Sequence, residues 1–273
     1  MSPPDPFRTE CLARDVIINL VNKPAAIAGQ DAQDAQGSQD GQEAEPAAEG
    51  DAVVAAVTEF SKQAKAAAAA SSLALADYVW TIFRVVFDIA AATPAERQGP
   101  LVDFLVQLRK APVTGADGQP LTYEGGLVWT DLPTFGWVAR EYFNYDLDLD
   151  QTKTLSLGNQ LAFMAKLTAI AGSDKPKDAF DFALFALWSL RTAFEEAPPP
   201  GQSAAGKAKL AELAAVWVRF AGDALHTMCK ENRPFVANQG APGDKYKDRK
   251  WKGFNEERWE IWLEGLKVAG IEL

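Results

Sequence analysis

From Ala52 to the C-terminus, apolar residues recur at helical spacing in segment after segment, and no stretch alternates long enough to make a strand. Such a chain can bury its apolar stripes only against one another. The reading is therefore all-α: a single multi-helix bundle of about eight or nine helices. Start and stop signals punctuate the pattern. Leu12, Val16, Ile17 and Leu20 form a short stripe that Pro24 ends. Residues 52–70 are Ala-rich with Val54, Val57 and Phe60 on one side. Ser71 or Ser72 then stands where it would cap a helix carrying Leu73, Tyr78, Trp80, Phe83 and Phe87. Thr93-Pro94-Ala95-Glu96 combines a capping box with proline at the first helical position, and predicts a helix through Leu101, Phe104, Leu105 and Leu108 to about Lys110. A Gly/Pro-rich loop covers 112–126, with a small hairpin expected around Asp117-Gly118. Further helices are predicted over about 133–144, 152–171, 175–196 and 204–230. The 175–196 segment is apolar nearly all round, which places it at the centre.

The last segment stacks its signals most densely. Asn255 is a preferred N-cap, Glu256 and Glu257 put negative charge on the first turn, and Phe254 and Trp259 occupy the two positions of a hydrophobic staple. Trp259, Trp262, Leu263 and Leu266 share one face, so this helix must dock onto the main body.

Three parts follow. Residues 1–24 carry an N-terminal helix packing on the body, and 51–273 form the all-helical domain. Between them, 25–50 is almost entirely Ala, Gln, Asp, Glu, Gly and Pro, too poor in apolar residues to offset ordering entropy, and reads as a disordered acidic linker. The formal charge of −10 is concentrated there: Asp31 to Asp51 hold seven acids and no Lys or Arg, which leaves about −3 for the rest. The acidity argues against general nucleic-acid binding, since phosphate contacts need clustered Lys and Arg, although a basic, polar loop precedes the terminal helix.

Only Cys11 and Cys229 are present, which suits a reducing compartment; the cytoplasm is the default, with the nucleus open. The N-terminus shows neither a basic nor an apolar signal region. The most apolar window, Leu73 to Ala92, contains Asp77, Arg84 and Asp88, so it reads as a buried helix and no membrane association is expected.

The chemical inventory is thin. His226 is the single histidine, and with two cysteines it cannot complete a four-ligand structural zinc site. Gly201 to Lys207 imitates a phosphate-binding loop, but Ala208 stands where Ser or Thr would hold magnesium and three prolines replace the strand. Asp146, Asp148 and Asp150 alternate as in a calcium loop, yet Gln151 and Leu157 occupy the positions of its Gly and Glu. Asp174, Asp178 and Asp181 lack an adjacent pair of acids. No catalytic residue, metal or cofactor is assigned. What remains is a set of charges among aromatics: Trp129, Asp131, Trp137, Arg140, Glu141, Asn144, Arg258 and Trp262 are the candidate ligand-binding residues. If the terminal helix packs beside 129–144, Arg258 pairs with Asp131 or Glu141. Such a pair is architectural when buried, because leaving one partner alone costs about 3–5 kcal/mol, or it is the polar spot of an aromatic pocket.

At these residues the chain resembles a fungal family, the domain of unknown function DUF3632. The resemblance rests on Trp129, Asp131, Leu132 and Pro133; on Arg140, Glu141 and Asn144; on Asn159, Leu161, Ala162, Ala165 and Leu167; on Ala214 and Trp217; and on Gly253, Phe254, Glu257, Arg258, Trp259 and Trp262. It implies a filamentous-fungal source and a helical fold, and brings no activity. Two readings stay open. One is a non-catalytic interaction, scaffold or regulatory protein with a protein partner. The other is a binder of a small hydrophobic molecule, or a metal-independent enzyme, with an aromatic-lined pocket.

Overall fold

The structure, a computed structural model, describes residues 6–22, 47–144, 151–172, 178–197 and 203–273. Most of the expected linker, Asp146 to Asp150, Asp174 and the Pro198–Gln202 stretch lie outside the described residues. Among those described there are nine α-helices and one two-stranded antiparallel hairpin, so the fold is all-α as expected.

The chain divides into two compact units, one of Met1–Ile89 and Glu96–Thr130, the other of Ala90–Ala95 and Asp131–Leu273. In the first, α1 (Pro6–Asn22) packs on α2 (Ala47–Ala70) and α4 (Gly99–Arg109), which also pack on each other. Phe60 of α2 meets Phe104 of α4 with ring centroids 5.3 Å apart. Most of α3 (Ser72–Ala92) belongs here, tied to α2 by the Tyr78 hydroxyl donating to the Phe60 carbonyl (3.2 Å) and to α1 by the Arg14–Asp88 pair (2.9 Å). Burial pushes the Tyr78 phenol well above its usual range, helped by the negative charge of Glu59.

Local chemistry explains where several boundaries fall. Ser71 is the cap of α3, its Oγ accepting the Ala74 N–H (3.0 Å). α2 begins at Ala47, earlier than the expected linker end at Gly50. The capping box at Thr93 does not open α4. A short 3₁₀ turn covers Ala95–Arg97, and α4 starts at Gly99 with Pro100 in its first turn. A proline at 100 has no N–H and would clash with the carbonyl of residue 96, so a helix begun at 94 cannot run through it. The 112–126 loop holds an isolated bridge, Thr114 with Pro120, around Asp117-Gly118. The hairpin follows, β1 (Thr122–Tyr123) and β2 (Gly126–Leu127), turned by Glu124 and Gly125 with φ of 48° and 78°.

The second unit contains α5 (Phe135–Phe143), α6 (Gln151–Ala171), α7 (Ala183–Phe194), α8 (Ala204–Lys230) and α9 (Glu256–Val268). α6 and α7 lie against α8, and α9 packs on α7 and α8. α8 is thus the helix that α6, α7 and α9 share. α7 has no exposed residue, in keeping with its apolar composition, and begins only at Ala183. Asp178 Oδ1 accepts the Phe180 N–H (2.9 Å) and Asp181 Oδ1 accepts the Ala183 N–H (3.2 Å), side-chain turns that replace helical bonds. α8 is capped by Ser203, which accepts the Gly206 N–H. α9 starts where its signals place it: Asn255 Oδ1 accepts the Arg258 N–H at 2.9 Å, and staple residues Phe254 and Trp259 are both buried.

Candidate functional site

The polar centre of the second unit is built where the C-terminal end of α7 meets α9 and the loop between α8 and α9. Glu195, the C-cap of α7, and Arg258, in the first turn of α9, are both 0 % exposed and form a two-pronged ion pair. Arg258 Nε donates to Glu195 Oε1 and Nη2 to Oε2, each at 2.9 Å. The remaining guanidinium hydrogens go to loop carbonyls: Nη1 to Gly240 (2.8 Å) and Gly253 (2.7 Å), Nη2 to Ala241 (2.9 Å). All five donors of the guanidinium are used. Glu195 is equally occupied. Oε1 also accepts Trp262 Nε1–H (2.8 Å), and Oε2 also accepts the Gly243 N–H (3.0 Å). A buried ion pair recovers its desolvation cost only when its spare donors and acceptors are satisfied, and here they are.

Close approach of backbone makes this possible. Pro234 and Gly253 pair as an antiparallel bridge, with Phe254 N–H donating to the Arg233 carbonyl (2.9 Å) and Phe235 N–H to the Lys252 carbonyl (2.7 Å). A Cβ on Gly253 would overlap the Arg233 carbonyl oxygen. On Gly243 a Cβ would stand 2.7 Å from the Glu195 backbone. The guanidinium carbon of Arg258 lies over Trp251 (5.1 Å) and over Trp262 (5.7 Å). A second, nearly buried pair, Arg233 with Asp181, fastens the start of the same loop to the turn before α7.

The sequence candidates scatter across the molecule. Trp129 belongs to the first unit, 1 % exposed, edge-on to Tyr78 and Phe83, with its Nε1–H lacking a hydrogen-bond partner. Asp131, Trp137, Arg140, Glu141 and Asn144 are exposed residues of the second unit. Trp137 is 59 % exposed, and the Arg140 guanidinium lies over Trp188 at 5.8 Å. Trp137, Arg140, Glu141 and Asn144 sit together at α5, while Arg258 and Trp262 meet on Glu195. The expected pairing of Arg258 with Asp131 or Glu141 is thus replaced by one with Glu195, because α9 docks on α7 and α8. Sequence reasoning missed Glu195 and the glycines at 240 and 243. One signal was available: a carboxylate at a helix C-terminus opposes the helix dipole and needs a cation or donors to hold it there.

The thiol and imidazole are also accounted for. Cys229 is buried, and desolvation pushes its thiol up to about 12, against the opposing pull of the Asn255 backbone and the Arg258 charge. His226 stacks flat on Trp259, with centroids 5.0 Å apart and 9° between planes. Among the described residues no group of three or more His, Cys, Asp or Glu is placed to hold a metal ion, and no helix is long and apolar enough to cross a membrane. An open groove of about 560 Å³ runs beside α9, lined by Phe194, Ile261 and Val268, by Lys245 and Tyr246, and by Glu260 and Glu264 of α9.

Fold and centre together define a helical protein whose most elaborate polar cluster is a closed internal fastening. The chain belongs to the DUF3632 family of proteins of unknown function, whose sequence profile matches residues 83–266, about two thirds of its length. No curated protein and no solved structure matches it.

Proposed function

We propose that this protein is an interaction or scaffold protein, working through outward faces of its second unit rather than through chemistry at a buried centre. One observation carries the reading. Arg258 and Glu195, which form a buried polar cluster, spend every donor and acceptor on each other, Trp262 and the loop backbone. Nothing in that cluster is left to receive a substrate group. The exposed candidates, by contrast, have the composition of protein interfaces: Trp137 stands out from α5, with Arg140 stacked on Trp188 nearby. Two free cysteines support a reducing compartment, cytoplasm or nucleus.

A second reading, small-molecule binding, has the groove beside α9 in its favour, since its volume falls in the range of ligand sites. A thermal-shift screen against apolar and aromatic metabolites, paired with crosslinking of wild type and Trp137→Glu in an extract of the source organism, separates the two. The interaction reading expects a partner crosslinked in fixed stoichiometry and lost in Trp137→Glu, with no metabolite shift. A saturable shift from one metabolite class, without such a partner, overturns it.

A further inference from the structure

The turn between the 3₁₀ segment Asp244–Tyr246 and Lys252 concentrates charge of the opposite sign to the chain. Residues 245–252 hold five cations, Lys245, Lys247, Arg249, Lys250 and Lys252, and one acid, Asp248, in a protein of net charge −10. All five cations are exposed. Arg249 is neutralised by Glu257 at 2.9 Å, and the Lys245 ammonium touches the Phe194 carbonyl at 3.0 Å. Lys247, Lys250 and Lys252 meet no carboxylate among the described residues, whereas Lys62 pairs with Glu59 and, beside the groove, Lys267 lies 3.9 Å from Glu264.

The turn is held in place. Lys245 N–H donates to the Glu195 carbonyl (3.0 Å), Arg249 N–H to the Tyr246 carbonyl (2.8 Å), and the Tyr246 and Trp251 rings meet at 5.4 Å, tilted by 34°. Trp251 in turn lies against the buried Arg258. A preorganised cationic edge loses little entropy on binding. The same turn lines the groove, through Lys245 and Tyr246. The lining also includes apolar Phe194, Ile261 and Val268, the last 78 % exposed, and the acids Glu260 and Glu264 of α9.

We propose that this face receives a short acidic segment of a protein partner, one apolar side chain seated on Phe194, Ile261 and Val268 and its carboxylates beside Lys245, Lys247 and Lys250. The inference rests on the interaction reading and names the partner's chemistry. Charge around the groove sets the orientation: carboxylates are drawn to the turn and away from Glu260, while Glu264 is balanced by Lys267. Glu260 and Glu264 in the same lining also argue against a nucleic acid or an anionic membrane, because a run of phosphates needs a cationic track without acids beside it.

The test is fluorescence anisotropy on the full chain with a labelled twelve-residue peptide of Glu and Asp carrying Leu and Phe three positions apart. Saturable binding that weakens with salt is expected, reduced at least tenfold by Lys247→Glu/Lys250→Glu and also by Val268→Asp, each with an unchanged melting temperature. Equal binding by the charge-reversed variant, or none by wild type at millimolar peptide, overturns the proposal. So does tighter binding of a twelve-nucleotide oligothymidylate, or cosedimentation with phosphatidylserine vesicles. If the crosslinked partner of the Trp137 experiment is retained by the charge-reversed variant, this inference fails while the interaction reading stands.

Discussion

Arg258 and Glu195, 63 positions apart in sequence, face each other edge to edge with both side chains fully buried. Because each fills the other's valence and the loop fills the remainder, the pair fixes three things at once: the end of α7, the start of α9 and the path of residues 240–253.

Removing one member should therefore be far more damaging than removing both. Arg258→Ala leaves a carboxylate buried without its cation, at a cost of about 3–5 kcal/mol. For units of this size that lowers the melting temperature by roughly 6–20 °C. Glu195→Met combined with Arg258→Met replaces charges with apolar volume and should melt above either single methionine variant. Calorimetry on the four proteins checks this; a double variant that melts below both singles refutes it.

Trp262→Phe keeps an aromatic ring but loses the indole N–H that Glu195 Oε1 accepts, together with some buried ring volume. The expected loss is about 1–3 kcal/mol, the range for an unsatisfied buried partner. Trp137→Ala, at an exposed position, should stay within about 0.5 kcal/mol of wild type. Urea unfolding of the two variants side by side tests the contrast.

Cys229 and Cys11 should behave as opposites. In native protein at pH 8, iodoacetamide should label exposed Cys11 and spare Cys229, as read by peptide mass spectrometry. The folded thiol at about 12 lies above its ordinary 9.0, so the native state keeps a proton that the unfolded chain releases. Its stabilising contribution is complete below about pH 9 and is lost as the pH rises towards 12. Cys229→Ala should flatten stability against pH across that window, and an unchanged slope would count against the assignment.

Gly253→Ala should fail to reach the wild-type fold, because the added methyl would occupy the position of the Arg233 carbonyl. Gly270→Ala is a useful contrast. Its φ of 72° imposes backbone strain, but nothing lies within 4 Å of the added carbon, so the fold should survive with a modest loss. Circular dichroism and soluble yield distinguish the outcomes.

The terminal helix was legible because every signal that starts it, from Phe254 to Trp259, is local. The same kind of reading failed at Thr93, where a good capping box lost to a proline seven residues on, and at Phe180 and Phe182, where aspartate side chains bonded the backbone first. Tertiary pairing was less visible still. Glu195 sits before Glu196 and a run of prolines and resembles any solvated helix end; only docking of α9 makes it an interior residue. Arg258 could be marked as a buried cation from its tryptophan neighbours, but its partner could not be chosen by proximity in sequence.

The line of rings from Tyr246 through Trp251 to Arg258 and Trp262 has a spectroscopic consequence. Trp251 is half-buried, donates its N–H to Glu257 at 3.1 Å, and lies against a fixed positive charge beneath it. Its excited state is therefore biased by an internal electric field that moves only if the fastening moves. Subtracting the emission of Trp251→Phe from that of the eight-tryptophan protein yields an intrinsic voltmeter for the α7–α9 junction, with no label attached.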